Sequence, residues 1–451
     1  MTGSTPVSAA LQGMKKTRVR YLIVFMLFVL TAINYADRAS IAIASPVMAK
    51  DLGLDTVQLG FIFSAFGWSY VICQIPGGWL LDRYGSKKVY VAAVLLWSIF
   101  TALQGIVGHL DIIGAMSVST AVTSLFVLRL LIGAAESPSF PGNSRVVAAW
   151  FPAQERATAA AIFNSAQYFA TVLFAPFMAW ITSQFGWEYM FGVMGGLGII
   201  AALVWAKVLY DPKEHPMINE AELKYLEDGG AVTSMDQQAA APKWGYLGQL
   251  CRNRMMVGIY LGQYCINCLT FFFLTWFPVY LVQGRGMTIL KAGFVASLPA
   301  ICGFAGGVLG GVLSDYILRR TNNLTLARKT PIVSGLLLSM SIIGCNFVDT
   351  DALVIFFMAL AFFGKGIGAL GWAVMSDVAP KEVAGLAGGL FNTFGNLSSI
   401  ITPIAIGYIL AATNQNFYWA LVFVGVHAFI AVLSYLIIVQ DIKRVELKPV
   451  D

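Results

Sequence analysis

The chain has 451 residues, of which 58% are hydrophobic and only 12% charged, against about 25% charged in an ordinary soluble chain. With a mean hydropathy of +0.74, water is not the solvent for most of its surface, which excludes a soluble globular protein. The net charge of +6 is read below as topology and attraction to anionic lipid, not as a nucleic-acid footprint.

In chain order, residues 1–20 read as a polar tail ending in Lys15, Lys16, Arg18 and Arg20. Apolar stretches of about 20 residues then recur, the length a helix needs to cross roughly 30 Å of hydrocarbon. They predict an all-α polytopic membrane protein with twelve transmembrane helices, at 21–45, 57–81, 88–108, 116–138, 157–182, 188–209, 255–282, 291–315, 329–348, 352–376, 383–411 and 416–440. The first is not a cleavable signal peptide: it is too long, holds charges, and is followed by many similar segments. The longest polar stretch, 210–253, divides the spans six and six, giving an N-terminal bundle over 21–209 and a C-terminal bundle over 254–440, with a tail at 441–451. Within it, "INEAELKYLEDGG" predicts a short amphipathic helix ended by Gly229 and Gly230, followed by a linker-like "QQAAAPK".

Of the 29 Lys+Arg, only Lys50, Arg285 and Lys291 fall on the side away from the termini, and Arg38, Arg129 and Lys365 lie within spans. Basic residues mark the cytoplasmic side, so both termini and the central loop are expected in the cytoplasm. The six cysteines are scattered with no second pair or histidine beside Cys265 and Cys268, so no metal site is expected. His427 reads as a packing residue in the last span, and His109 and His215 fall in loops.

A repeat supports the six-plus-six division. After the second span comes "GGWLLDRYGSKK", with Gly78, Asp82, Arg83, Gly85 and Lys87; after the eighth comes "GGVLSDYILRR", with Gly311, Asp315, Arg319 and Arg320. The second copy has no glycine matching Gly85. A duplicated six-helix unit is a transporter architecture with its site at mid-membrane between the halves. The two loops resemble the signature loop of the major facilitator superfamily, and "LRLLIGAAES" resembles its R-x-x-x-G motif. "NYADRA", "FSAFGWSYVICQIPGGWLLDR", "ESPSFPGNSRVVAAWFP", "IFNSAQYFA", "GIGALGW" and "GGLFNTFGN" resemble its anion–cation symporter branch. Within that branch the likeness is to bacterial proton-coupled sugar-acid transporters, above all those for the aldarates glucarate and galactarate. The resemblance covers essentially the whole chain. It implies alternating access in a bacterial inner membrane, a small organic anion and protons as partners, a monomer, and no cofactor.

The residues add their own argument. Asp37, Arg38, Arg129, Glu136 and Lys365 sit inside apolar spans. Each charge at a helix centre costs about 2.5–3.5 kcal/mol on the insertion scale, or about 12–18 kcal/mol together if all faced lipid. They are therefore expected to face water, one another or a ligand. Arg129 and Glu136, seven apart, share a helix face about 10 Å apart along the axis, and Lys365 and Trp372 repeat that spacing. Asp37 and Arg38 diverge by about 100° and must seek partners elsewhere. A static ion-pair network pinning the first and fourth helices is the competing reading. Lys365, which leaves three cations against two anions, favours an anion that comes and goes.

By resemblance, Arg38 and Arg129 are the substrate-carboxylate ligands, a role that suits the guanidinium fork, and Asp37 and Glu136 are the proton carriers. Lys365 is assigned to the second carboxylate of an aldarate, the alternative being a lysine snorkelling from a flexible "GKG". Tyr35, Tyr70, Gln167, Asn267, Trp372 and Asn392 are expected to contact sugar hydroxyls and the carbon chain, the alternative for the amides being interhelical hydrogen bonds. Gly78, Asp82, Arg83, Gly85, Asp315 and Arg319 are expected to form gating loops that latch the inner side. Gly303, Gly306, Gly307, Gly310 and Gly311 are expected to let helices rock. Importing a dianion against a negative interior costs about 2.3 kcal/mol per charge per 100 mV, which two co-transported protons cancel. No nucleophile–base pair or phosphate-cradling motif is present, so an enzyme or ATP-driven pump is not expected. A hexuronate or aldonate symporter and an anion exchanger remain alternative transporter readings.

Overall fold

The computed structural model describes residues 16–109, 117–233, 235, 244–380 and 383–448. The first fifteen residues of the expected N-terminal tail, the "QQAAAPK" linker and the last three residues of the C-terminal tail lie outside them.

Eleven helical stretches among the described residues are long and apolar enough to cross a membrane: α1 (Val19–Leu52), α2 (Thr56–Tyr84), α3 (Ser86–His109), α4 (Val118–Trp150), α6 (Trp187–Val208), α7 (Arg254–Gly284), α8 (Ile289–Thr321), α9 (Leu324–Phe347), α10 (Asp351–Val378), α11 (Ala384–Ala412) and α12 (Tyr418–Ile438). Between α4 and α6 runs α5 (Arg156–Phe185), 30 residues long and so about 45 Å at helical rise. Most helices extend beyond the apolar windows read from sequence. α4 does so furthest: after a break at Ser137 and Pro138, "SFPGNSRVVAAW", outside the expected span, forms a second helical segment over Ser139–Trp150, which tolerates Pro141 because its first-turn amides have no intrahelical hydrogen bond to lose. The short loop helix forms over Glu220–Asp228 with Asn219 as its N-cap and Gly229 at its end.

The two sets of six helices pack alike. α1 lies on α5 as α7 lies on α11; α2 lies on α4 as α8 lies on α10; α3 lies on α6 as α9 lies on α12. The halves then meet through α5 against α8 and α2 against α11. At the second seam the helices approach to backbone contact. A Cβ on Gly60 would stand 2.7 Å from the Pro403 carbonyl, and one on Gly407 would stand 2.6 Å from that of Thr56. The glycines of α8 do something else. Gly303, Gly306 and Gly310 pack on α10 within their own half, Gly307 touches it only loosely, and Gly311 faces open space. Gly303, Gly306 and Gly310 thus bring α8 close to α10, and Gly303 also stands near Tyr168 of α5 across the seam.

Alternation of the helices puts both ends of the described chain on one face, where Gln249 and Lys448 exchange hydrogen bonds of 2.9 and 3.0 Å. Near this terminal face the apolar core is split. One cluster draws only on residues 19–235 and another only on residues 250–445. Near the opposite face a single cluster joins α1, α2 and α5 to α7, α8 and α11. α2 shows the divide along its own length: Leu59–Phe66 and Tyr70 are largely buried, whereas Ile72, Ile75 and Trp79 are exposed. The halves are sealed at the opposite face and parted at the terminal face.

At the terminal face the loop helix is docked to the first half. The fully buried Glu222 accepts hydrogen bonds from Thr17 Oγ1 (2.7 Å), the Val19 amide (3.0 Å) and Arg20 Nη1 (3.0 Å). A carboxylate there satisfies the unpaired first-turn amides of α1 and suits its dipole. His215 packs edge-on to Trp150 and Tyr210, and this burial lowers its pKa.

Candidate functional site

Four of the five intramembrane charges gather inside the first half. Arg38 Nε donates to Glu136 Oε2 at 2.8 Å, with both side chains buried. The Arg38 guanidinium sits 5.0, 4.6 and 4.8 Å from the ring centroids of Tyr35, Phe66 and Tyr70, an aromatic cage that holds a cation without neutralising it. Arg129 Nη1 reaches the Asp37 carbonyl at 3.4 Å, and its guanidinium lies 5.5 Å from Phe66. α4 is continuous from Val118 to Glu136, so Arg129 and Glu136 do share a face, and both are buried.

The network is incomplete. Arg38 Nη2, Arg129 Nε, Glu136 Oε1 and both carboxylate oxygens of Asp37 are buried without a hydrogen-bond partner. A buried ion pair repays its desolvation only when its remaining donors and acceptors are also satisfied. The pairing of α1 and α4 expected from the static reading exists, but with one nitrogen of Arg38 unoccupied.

Lys365 stands in the other half. It is buried, with Nζ 5.1 Å from the Phe362 ring centroid and 6.0 Å from that of Tyr168, and has no ion pair among the described residues. The "GKG" around it is not loose. A Cβ on Gly364 would lie 2.8 Å from the Ser339 amide of α9, and one on Gly366 would lie 2.8 Å from the Gly307 amide of α8. Only glycine lets α10 be wedged between two backbones at once, and the wedge fixes the lysine between them. Lys365 opens onto a central cavity of about 690 Å³, counting the part continuous with solvent, which Tyr35, Gln167, Tyr168, Thr171 and Thr270 also line. Tyr35 both lines this cavity and forms one wall of the Arg38 cage, so it joins the two charge centres.

The other expected residues are dispersed around this core. Tyr70 stacks on Phe66 at 5.2 Å. Asn267 accepts from Gln263 Nε2 at 3.2 Å. Asn392 donates to Gln74 Oε1 at 3.1 Å across the two halves and accepts from Asn396 at 3.1 Å. Trp372 does not share the Lys365 face, because the helix is interrupted at Ala369 and Leu370 between them. It is exposed and packs edge-on to Phe391 at 4.9 Å. Phe66, Gln74, Tyr168, Thr171, Gln263 and Thr270 were not picked out from sequence. Tyr168, next to Gln167 in "NSAQYFA", had the strongest signal, a polar aromatic inside an apolar span.

The repeated loops tie helices within each half. Asp82 pairs with Arg145 of α4, not with Arg83, which stacks on Trp79 and Tyr84 instead. Asp315 lies 3.9 Å from Arg328 of α9, which bonds Asp377 of α10 at 2.7 Å. Arg319 is exposed in the last turn of α8. Among the described residues neither aspartate pairs across the halves. Gly85 closes α2 at φ +88°, while Gly78 faces open space. The missing second glycine is replaced by Asn322, at φ +50° and one turn further on; asparagine tolerates the left-handed region better than most residues.

Residues 27–327 match the Major Facilitator Superfamily. The chain belongs to this family. It is 62% identical over 442 residues to the "Probable galactarate/D-glucarate transporter GudP" of Escherichia coli (strain K12), covering 97% of each chain. It is 60% identical to the protein of the same description from Bacillus subtilis (strain 168), covering 96% of this chain and 95% of that one. Among solved structures, a bacterial homolog of the human lysosomal transporter Spinster, in an inward-facing and occupied conformation, superposes with a TM-score of 0.72 at 15% identity, over 95% of this chain and 98% of that one. The chain is a membrane transporter and not an enzyme.

Proposed function

We propose that this transporter is a proton-coupled importer of a sugar-derived dicarboxylate of the glucarate and galactarate type, working as a monomer in a bacterial inner membrane with the terminal face in the cytoplasm. The observation that carries the reading is the division of charge: an unpaired Lys365 lining the central cavity, and a caged, half-paired Arg38 behind Tyr35, which lines the same cavity. Two separated cations suit an anion with a carboxylate at each end. The relatives named for galactarate and D-glucarate support the same substrate class. Lys50, Arg285 and Lys291 are the only lysines or arginines outside the spans on the face opposite the termini, which supports the orientation.

Coupling follows from competition for Arg38. While Glu136 is ionised it occupies Arg38 Nε, and an incoming carboxylate must displace it. Protonated Glu136 no longer competes as an ion, so the anion and the proton favour each other's binding by linkage. Asp37, held near Arg129, is the second proton site. Tyr35, Tyr70, Gln167, Asn267 and Asn392 supply hydroxyl and amide partners for the substrate hydroxyls, and Trp372 serves the entry path.

The experiment is uptake of labelled glucarate into proteoliposomes made acid outside, with galactarate, glucuronate and galactonate as competitors. Accumulation above the equilibrium level, collapsed by a protonophore and blocked best by the two diacids, is the expected result. Uptake limited to exchange against internal anion would replace this reading with an exchanger, and stronger block by a monoacid would replace the substrate class.

A further inference from the structure

Asp37 faces away from the substrate cavity. The cavity takes Tyr35, Ala39 and Ile43 from α1, a stripe at helical spacing, and position 37 lies about 200° from position 35 around the axis. Its carboxylate is fully buried inside the first half without a hydrogen-bond partner. The groups facing it are Arg129 and Glu136 from α4 and the Trp97 indole from α3. Of the other helices packed on α1, α5 bears only Arg156, in its first turn, and α6 bears its charges Glu188 and Lys207 in its first and last turns.

From Trp97 a polar stripe runs along α3 toward the opposite face. Trp97, Thr101 and Gln104 stand at i, i+4 and i+7, all buried; the Trp97 indole is turned to Asp37, and Thr101 Oγ1 and both amide atoms of Gln104 have no hydrogen-bond partner. Beside it, Ser98, Ala102 and Gly105 form the close seam with α6, so the stripe lies on the neighbouring face of α3. At the far end of α3 the half-buried Glu188 lies against Gly108, and the exposed His109 closes the helix. A buried hydroxyl or amide left unpaired costs about 1–3 kcal/mol, and native proteins satisfy such groups with ordered water. The stripe spans about 10 Å along the axis, which three or four waters at about 2.8 Å spacing bridge.

We propose that Trp97, Thr101 and Gln104 hold a file of water that carries protons from the opposite face to Asp37, by a route separate from the substrate cavity. A proton enters from bulk water near Glu188 and is passed between waters by successive transfers. It ends on the Asp37 carboxylate, which becomes a carboxylic acid. Thr101 and Gln104 orient the file and give up no proton of their own. The route leaves the halves sealed at the opposite face while Asp37 is recharged. The inference rests on proton coupling as proposed above.

The test uses the full-length protein in proteoliposomes, with Thr101→Val and Gln104→Met singly and together, and Gln104→Glu as the polarity-preserving variant. Two rates are read: pH-gradient-driven accumulation of glucarate, and exchange of labelled for unlabelled glucarate at equal pH. The expected result is a fall of about tenfold in driven accumulation for the double variant, exchange within about twofold of wild type, and accumulation restored by Gln104→Glu. An equal fall in both rates would make the stripe structural, and no fall in either would remove it from the proton path. A wild type with no gradient-driven accumulation would overturn proton coupling itself, and the water file with it.

Discussion

The two halves share one packing plan and divide the chemistry unequally. In the first half, Asp37, Arg38, Arg129 and Glu136 are crowded behind one wall with several donors and acceptors left over. In the second, Lys365 stands among aromatic rings, and the amides Gln263, Asn267, Asn392 and Asn396 bond one another in two pairs elsewhere in that half. Duplication conserves the contacts that make a six-helix bundle, but nothing in those contacts fixes which half carries titratable groups. Under the proposed function, the half with both acids and bases couples protons to substrate, and the half with a cation and amides recognises it.

Breaking the charged half has the largest expected effect. Arg38→Ala leaves Glu136 buried without its partner, at a cost of about 3–5 kcal/mol, and removes a substrate cation. Uptake is expected to fall to background, and the melting temperature in detergent to drop. Unchanged uptake would show that the caged arginine belongs to the scaffold alone. Next come Glu136→Gln and Asp37→Asn, which keep shape and remove the titration. Gradient-driven accumulation is expected to fall at least tenfold while exchange persists, and full accumulation by both would end their role as proton carriers.

Lys365→Asn sharpens the contrast from the recognising half. Glucarate uptake is expected to fall about tenfold while uptake of a monoacid such as galactonate changes by less than threefold; equal losses would mean that the lysine does not read the second carboxylate. The smallest effect is expected at the bridge between the halves. Gln74→Leu removes the 3.1 Å hydrogen bond to Asn392, and a neutral hydrogen bond contributes about 0.5–1.5 kcal/mol. The maximal transport rate is expected to change by less than about tenfold with substrate affinity nearly unchanged.

Much of this was legible in the residues because burying charge in a membrane is expensive. That cost marked Asp37, Arg38, Arg129, Glu136 and Lys365, and helical period correctly put Arg129 with Glu136 because α4 is unbroken between them. The same period failed for Lys365 and Trp372, since the glycine-rich turn interrupts α10 at Ala369, a break that spacing alone does not report. "GKG" read as slack and is instead a tight wedge, because a glycine serves flexibility and close packing equally well in sequence. The loop aspartates found arginine partners within their own halves, Arg145 and Arg328, on helices that local sequence does not join. The Trp97–Thr101–Gln104 stripe stayed hidden, as isolated polar residues in an apolar run gain meaning only when their lack of partners is visible.

The most direct test of the account is proton uptake on substrate binding. Glucarate is added to the purified protein in weakly buffered detergent solution while a pH indicator is followed, for wild type and for Glu136→Gln. The account predicts that binding draws protons from solution in the wild type, so that pH rises, and that Glu136→Gln binds with a clearly smaller rise. Tight binding with no proton uptake, or an identical rise in both proteins, would contradict the exchange of Glu136 for substrate at Arg38.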